Sequence, residues 1–277
     1  MKKLILLACL FLIGKGGALA GNLPANYVVL LDLSDRILQP EQAKRDQELI
    51  RIVFETFEQK VRNNLIINSK DRFRIAVAPQ KSMSALPGLD ELYLDMGQVP
   101  FAQKRSRLEA LKRDLPEKVA RLYAAALAGR HKPTDFTGSD LWRYANDNLP
   151  SDLEKGYANT WIILTDGYFD FEKNPSAFCE GNRCTDSRVL DRLRKMPDWQ
   201  KTLAAEDEGL VRIKKSFPPL SVYVAEMRAK REYLGEMDLL TGVWQKWLGE
   251  MGVRRMKYGS REGLLKSADL LRSFLKT

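Results

Sequence analysis

The chain is poor in the side chains on which most hydrolytic and metal chemistry depends. Its 277 residues include one histidine, His131, and three cysteines. A single imidazole leaves little room for triad chemistry, and no Gly-x-Ser-x-Gly elbow is present to carry a nucleophile. A structural zinc site needs four ligands, and the same shortage argues against one. Gly14-Lys15-Gly16-Gly17 lacks the spacing of a phosphate-binding loop. The sequence also lacks internal repeats, low-complexity tracts and any apolar run of the roughly 20 residues that a membrane-spanning helix requires.

What the N-terminus does have is the layout of a cleavable secretory signal. Lys2 and Lys3 precede the apolar run Leu4 to Ile13, and Ala18-Leu19-Ala20 stands before Gly21. Residues 1–20 are therefore expected to be removed, leaving 21–277 as one large α/β domain in the periplasm or secreted. In such an oxidising compartment Cys179 and Cys184, the pair that remains, read as a small disulfide loop. Closing so short a loop contributes on the order of 2 kcal/mol in the chain-entropy account.

Basic residues outnumber acidic ones, 45 to 36. Without Lys2, Lys3 and Lys15 the balance is 42 to 36, a net charge of +6. These charges are dispersed through amphipathic segments rather than blocked together, which reads as a solvated surface and not as a nucleic-acid face.

Apolar strands alternate with helical patterns along the chain. A helix from Pro40 to Asn63 follows the strand at Tyr27–Leu31. Residues 72–78 read as a second strand, Leu92-Tyr93-Leu94 as a short edge strand, and Lys104 to Leu127 as helix broken at Pro116. Ser139 is expected to cap a helix reaching Asn146. The strand at Trp161–Leu164 is followed by an insertion at about 168–216 that holds Cys179 and Cys184. A strand at Leu220–Ala225 and two amphipathic helices flanking a strand near Arg255 complete the pattern. Trp244 and Trp247, one helical turn apart, read as core rather than as a recognition patch. Such alternation implies a doubly wound, mostly parallel sheet with helices on both faces.

Two strands end in a carboxylate: Tyr27-Val28-Val29-Leu30-Leu31 runs into Asp32, and Trp161-Ile162-Ile163-Leu164-Thr165 into Asp166. Ser34 follows two residues after Asp32, and Phe136-Thr137-Gly138-Ser139-Asp140 supplies a hydroxyl-rich loop. Ligands of open α/β sheets gather at the carboxyl ends of the strands, so these distant residues are expected to converge. Hard oxygen ligands of this kind suit Mg²⁺.

In that order the residues resemble the von Willebrand factor A family, whose metal-ion-dependent adhesion site reads Asp-x-Ser-x-Ser, then a loop Thr, then a later Asp. The resemblance implies Asp32, Ser34, Thr137 and Asp166 as metal ligands, with Mg²⁺ or another divalent cation engaging an acidic group on a partner protein. Arg36 stands where the family has its second Ser, and a guanidinium has donors but no acceptor. Arg36 either points to solvent or neutralises Asp32 or Asp166 in place of a metal. The sequence thus reads as an exported protein-binding module and not an enzyme, with a metal-free scaffold of an envelope complex as the variant. A rival class follows from Leu30-Leu31-Asp32-Leu33-Ser34, which resembles the nucleophile strand of haloacid-dehalogenase-type phosphatases. That family has a second Asp where this chain has Ser34.

Overall fold

The computed structural model describes residues 23–80, 88–171, 175–205 and 207–276. The expected signal, residues 1–20, lies outside them.

A six-stranded sheet forms the centre. In chain order its strands are β1 (Ala25–Leu31), β2 (Arg72–Val77), β3 (Tyr93–Asp95), β4 (Ala158–Leu164), β8 (Leu220–Met227) and β9 (Arg255–Ser260). A separate small sheet is made of β5 (Cys179–Glu180), β6 (Arg183–Cys184) and β7 (Gly209–Leu210). The main sheet has the spatial order β3-β2-β1-β4-β8-β9, with only β3 antiparallel to its neighbour. This is the expected doubly wound α/β arrangement.

Alternation along the central strands explains the two covered faces. Val28, Leu30, Trp161, Ile163, Val222 and Val224 point into one core; Val29, Leu31, Ile162, Leu164, Tyr223 and Ala225 point into the other. The second face is closed by α1 (Gln42–Asn63), α2 (Lys104–Leu127) and α8 (Leu264–Lys276). The first is closed by α3 (Leu141–Arg143), α4 (Leu149–Asp152), α5 (Arg188–Leu193), α6 (Trp199–Ala205) and α7 (Glu236–Glu250). Trp244 and Trp247 are fully buried there, as their spacing predicts.

Two local expectations are corrected. Helix α2 runs unbroken through Pro116. Pro116 and Lys112, one turn earlier, are both exposed, so water can serve the carbonyl that the proline leaves without a donor. The cap of α3 is Asp140, not Ser139: the Asp140 carboxylate accepts from Arg143 N at 2.8 Å. Ser139 Oγ instead accepts from Gln80 Nε2 at 2.9 Å, which ties the loop to the end of β2.

The insertion between β4 and β8 carries the Cys179–Cys184 disulfide, whose two cysteines face each other across the β5–β6 hairpin. Arg183 from that hairpin is buried and reaches α7, pairing with Glu250 at 2.8 Å as well as with Asp207 at 2.7 Å. Among the described residues no helix is long and apolar enough to cross a membrane.

Candidate functional site

Parallel register brings the site together. Leu31 pairs with Leu164 and Leu164 with Ala225, so the next residues, Asp32, Thr165 and Glu226, leave the sheet abreast. The ladder continues past the strands: Asp32 N donates to Leu164 O and Thr165 N to Ala225 O, each at 3.1 Å. From β1 the chain winds outward to β2 and β3, then returns to the opposite side with β4. The crevice between β1 and β4 is therefore the topological switch point, where open sheets take their ligands.

Asp32 is 2% exposed and has both carboxylate oxygens engaged. Oδ1 accepts from Ser34 N at 2.9 Å and Oδ2 from Thr165 Oγ1 at 2.8 Å. Ser34 is buried beside it. Asp166 lies across the crevice, its Oδ1 accepting from Tyr168 N at 3.2 Å. Thr137 Oγ1 is buried without a hydrogen-bond partner among the described residues. The following residue, Gly138, adopts φ +78° against the backbone of Asp170, which places the Thr137 loop on the segment after β4.

Lys230, three residues beyond β8, reaches Asp166 in this crevice. Its ammonium is 2.9 Å from Asp166 Oδ2, 2.5 Å from Asp170 Oδ2 and 3.2 Å from Asp35 Oδ1. The Asp166 contact is an ion pair. Tyr168 fixes the lysine twice, through its ring 4.9 Å from Nζ and its hydroxyl, which accepts from Lys230 N at 2.9 Å. Burial pushes the Asp166 carboxyl up to about 6; Lys230 opposes the rise, while Asp32 and Asp170 add to it. Burial alone would lower the Lys230 pKa, but the surrounding carboxylates more than reverse this and hold the ammonium charged.

Two of the four expected ligands, Thr137 and Asp166, each keep a buried oxygen without a hydrogen-bond partner among the described residues. In this structure an ammonium faces Asp166 and both Asp32 oxygens accept hydrogen bonds.

Arg36 follows neither of its two expected courses. It is 3% exposed and grips Asp46 of α1 with both terminal nitrogens, at 2.8 and 3.0 Å. Its only bond to Asp32 goes to the backbone carbonyl, at 3.0 Å. Asp46 also accepts from Gln42 Nε2 at 3.0 Å and from the Tyr123 hydroxyl at 2.7 Å, so the pair is locked between β1, α1 and α2. Burial works against the Arg36 charge, and the Asp46 carboxylate outweighs it and keeps the guanidinium protonated. His131 is an exposed loop residue that lies outside the crevice.

Reading the sequence missed the contribution of β8. Glu226, Arg228 and Lys230 follow an apolar strand just as Asp32 and Asp166 do, and the same rule applied to a third strand singles them out. Glu226 sits at φ +68° where the β8–β9 register shifts. Its carboxylate is held by Arg45 of α1 at 2.6 and 2.8 Å.

Sheet order, two helical layers and a charged crevice at the switch point define an open, doubly wound α/β protein. No protein-family model and no curated protein matches the chain in sequence. Among solved structures it is similar to the pilus adhesin SpaC from Lactobacillus rhamnosus GG in the open conformation. The TM-score is 0.42 and the identity 11%, over 92% of this chain and 30% of that one. It is similar as well to proximal thread matrix protein 1 from the mussel byssus, with TM-score 0.40 and 11% identity over 92% of this chain and 48% of the other. The chain thus spans less than half of the length of either.

Proposed function

We propose that this chain is an exported protein-binding module of the von Willebrand A type in which the Lys230 ammonium stands where that family holds its cation. The observation that carries the reading is the placement of Lys230 Nζ within 3.2 Å of Asp35, Asp166 and Asp170, at the crevice where Asp32 and Ser34 also lie. A fixed internal ammonium supplies the positive charge that neutralises buried strand-end carboxylates, which are costly when unpaired. The partner is a protein bearing an acidic group, within an envelope or extracellular assembly. The disulfide across the β5–β6 hairpin agrees with an oxidising compartment.

Wild-type protein is expected to show no melting response to millimolar Mg²⁺ or Mn²⁺. Lys230→Ala, which leaves three carboxylates facing one another, is expected to gain one. At ten times its Kd a bound ion contributes about 1.4 kcal/mol. For a chain of this size that is roughly 3–6 °C. Differential scanning calorimetry with and without the ions reads both arms, and a wild-type shift of that size would reinstate a resident metal.

The binding face itself is tested by photo-cross-linking. Leu234 is 99% exposed in the connection after β8, at the carboxyl end of the sheet, whereas Leu65 is 63% exposed before β2, at the opposite end. A benzophenone side chain at position 234 should give a discrete, saturable protein adduct in cells, and one at position 65 should not. Equal labelling, or none at 234, rejects the reading. The phosphohydrolase alternative predicts turnover of a generic phosphate ester; none is expected, because both Asp32 oxygens already accept hydrogen bonds.

A further inference from the structure

The crevice extends from Lys230 toward β9 as a cavity of about 230 Å³ lined by Asp35, Arg36, Gln39, Gln42, Asp166, Glu226, Arg228, Lys230 and Arg261. Most charges in it have a dedicated partner. Arg36 belongs to Asp46, Arg45 to Glu226, and Lys230 to the three aspartates. Arg228 and Arg261 do not. Among the described residues Arg228 makes one side-chain hydrogen bond, Nη1 to Gln39 Oε1 at 2.8 Å, and no ion pair.

Arg261 donates to two neutral acceptors, Gln42 Oε1 at 2.8 Å and Pro40 O at 2.9 Å. Its nearest carboxylate is Glu226, 4.0 Å away and already doubly bonded to Arg45. Burial, together with Arg45, Arg228 and Arg36 nearby, lowers the Arg261 pKa. Two guanidinium groups are therefore held in place by amide and carbonyl oxygens, with no carboxylate hydrogen-bonded to either among the described residues.

We infer that Arg228 and Arg261 form the receptor for a carboxylate of the partner protein, delivered into the cavity between the ends of β1, β8 and β9. This rests on the protein-binding reading and names its contact. Guanidinium groups suit the task because their donors match the two oxygens of a carboxylate. The cavity is small enough to select one side chain or chain terminus rather than a surface. Beyond the two arginines, Leu234 in the connection after β8 and Leu265 in the first turn of α8 are 99% and 82% exposed. Apolar side chains this exposed in the elements that follow the two arginines fit a polypeptide ligand better than a free inorganic anion.

The test is a titration of the full, disulfide-bonded chain, following the arginine Nε–H signals by NMR. Four probes are used: acetyl-Ala-Glu-Ala-amide, its Gln counterpart, acetyl-Ala-Gln-Ala with a free C-terminus, and inorganic phosphate. The Glu peptide or the free-acid peptide should shift the Arg228 and Arg261 signals, and which of them does so assigns the carboxylate to a side chain or a terminus. Arg228→Gln and Arg261→Gln should each weaken binding about tenfold or more, as loss of a charge-assisted bond requires.

Three results overturn the inference: no shift up to 20 mM peptide (about the weakest affinity worth the name), an equal response to the fully amidated Gln peptide, or a stronger one to phosphate. If the adduct at position 234 persists in both arginine variants while the peptides are silent, the arginine assignment falls and the binding face stands. If wild type gives no adduct, the binding-face reading falls.

Discussion

Arg36→Ser is expected to lower the unfolding free energy by about 3–5 kcal/mol, the usual cost of removing one partner of a buried ion pair. Both side chains are essentially inaccessible, at 2% and 0% exposure. Without the guanidinium, Asp46 keeps its hydrogen bonds from Gln42 and Tyr123 but loses its ion-pair partner. The Asp32 carbonyl loses a donor as well. Serine is also the residue that would complete the adhesion-site pattern, which separates two outcomes. If Arg36 merely obstructed a metal, the variant would gain Mg²⁺ affinity at little cost in stability. The ion pair with Asp46 predicts the opposite balance. Urea unfolding measures it, and a change within about 0.5 kcal/mol, the range of an ordinary surface substitution, would show that Arg36 does not hold the core.

Gly138→Ala should be nearly as damaging, for a steric reason. A Cβ at Gly138 would lie 1.4 Å from the backbone oxygen of Asp170, and a backbone atom cannot rotate away as a side chain can. The φ of +78° adds the left-handed penalty of roughly 1–2 kcal/mol. Forced loop displacement typically adds about 1–3 kcal/mol. Gly129→Ala is the matched control, since Gly129 has φ +70° and nothing within 4 Å of its Cβ position. The two variants share the conformational penalty, so the difference in their melting temperatures isolates the close approach. Equal melting would mean that the Thr137 loop does not rest on Asp170.

The sheet was legible because parallel strands buried on both faces show as uninterrupted apolar runs. Tyr27–Leu31 and Trp161–Leu164 announced themselves in this way, and the aspartate within two residues of each marked a strand end. That reasoning expected Asp32 and Asp166 at neighbouring strand ends, and the parallel register of β1 and β4 has them there. It failed at Arg36 because a lone arginine carries no sign of which carboxylate it will meet. Its partner Asp46 lies ten residues on, inside what reads as an ordinary amphipathic helix. Lys230, Arg228 and Arg261 were lost in the general surplus of basic residues. Only the registers of β8 beside β4 and of β9 beside β8 show that they line the same crevice as Asp166. The unbroken path of α2 through Pro116 was beyond a local rule too, since it depends on which side of the helix meets water.

The clamp on α7 bears on how the crevice would behave during an encounter. The insertion holds both ends of this helix: Arg183 takes Glu250 at one end, and Arg194 takes Glu236 at the other at 2.6 Å. Glu236 in turn receives the Tyr168 hydroxyl at 2.6 Å, and the same hydroxyl positions Lys230. The disulfide-bonded excursion therefore acts as a brace on the connection that carries Arg228 and Lys230. Under the proposed protein-binding reading, a connection braced in this way lowers the ordering cost that a mobile loop would impose on the complex.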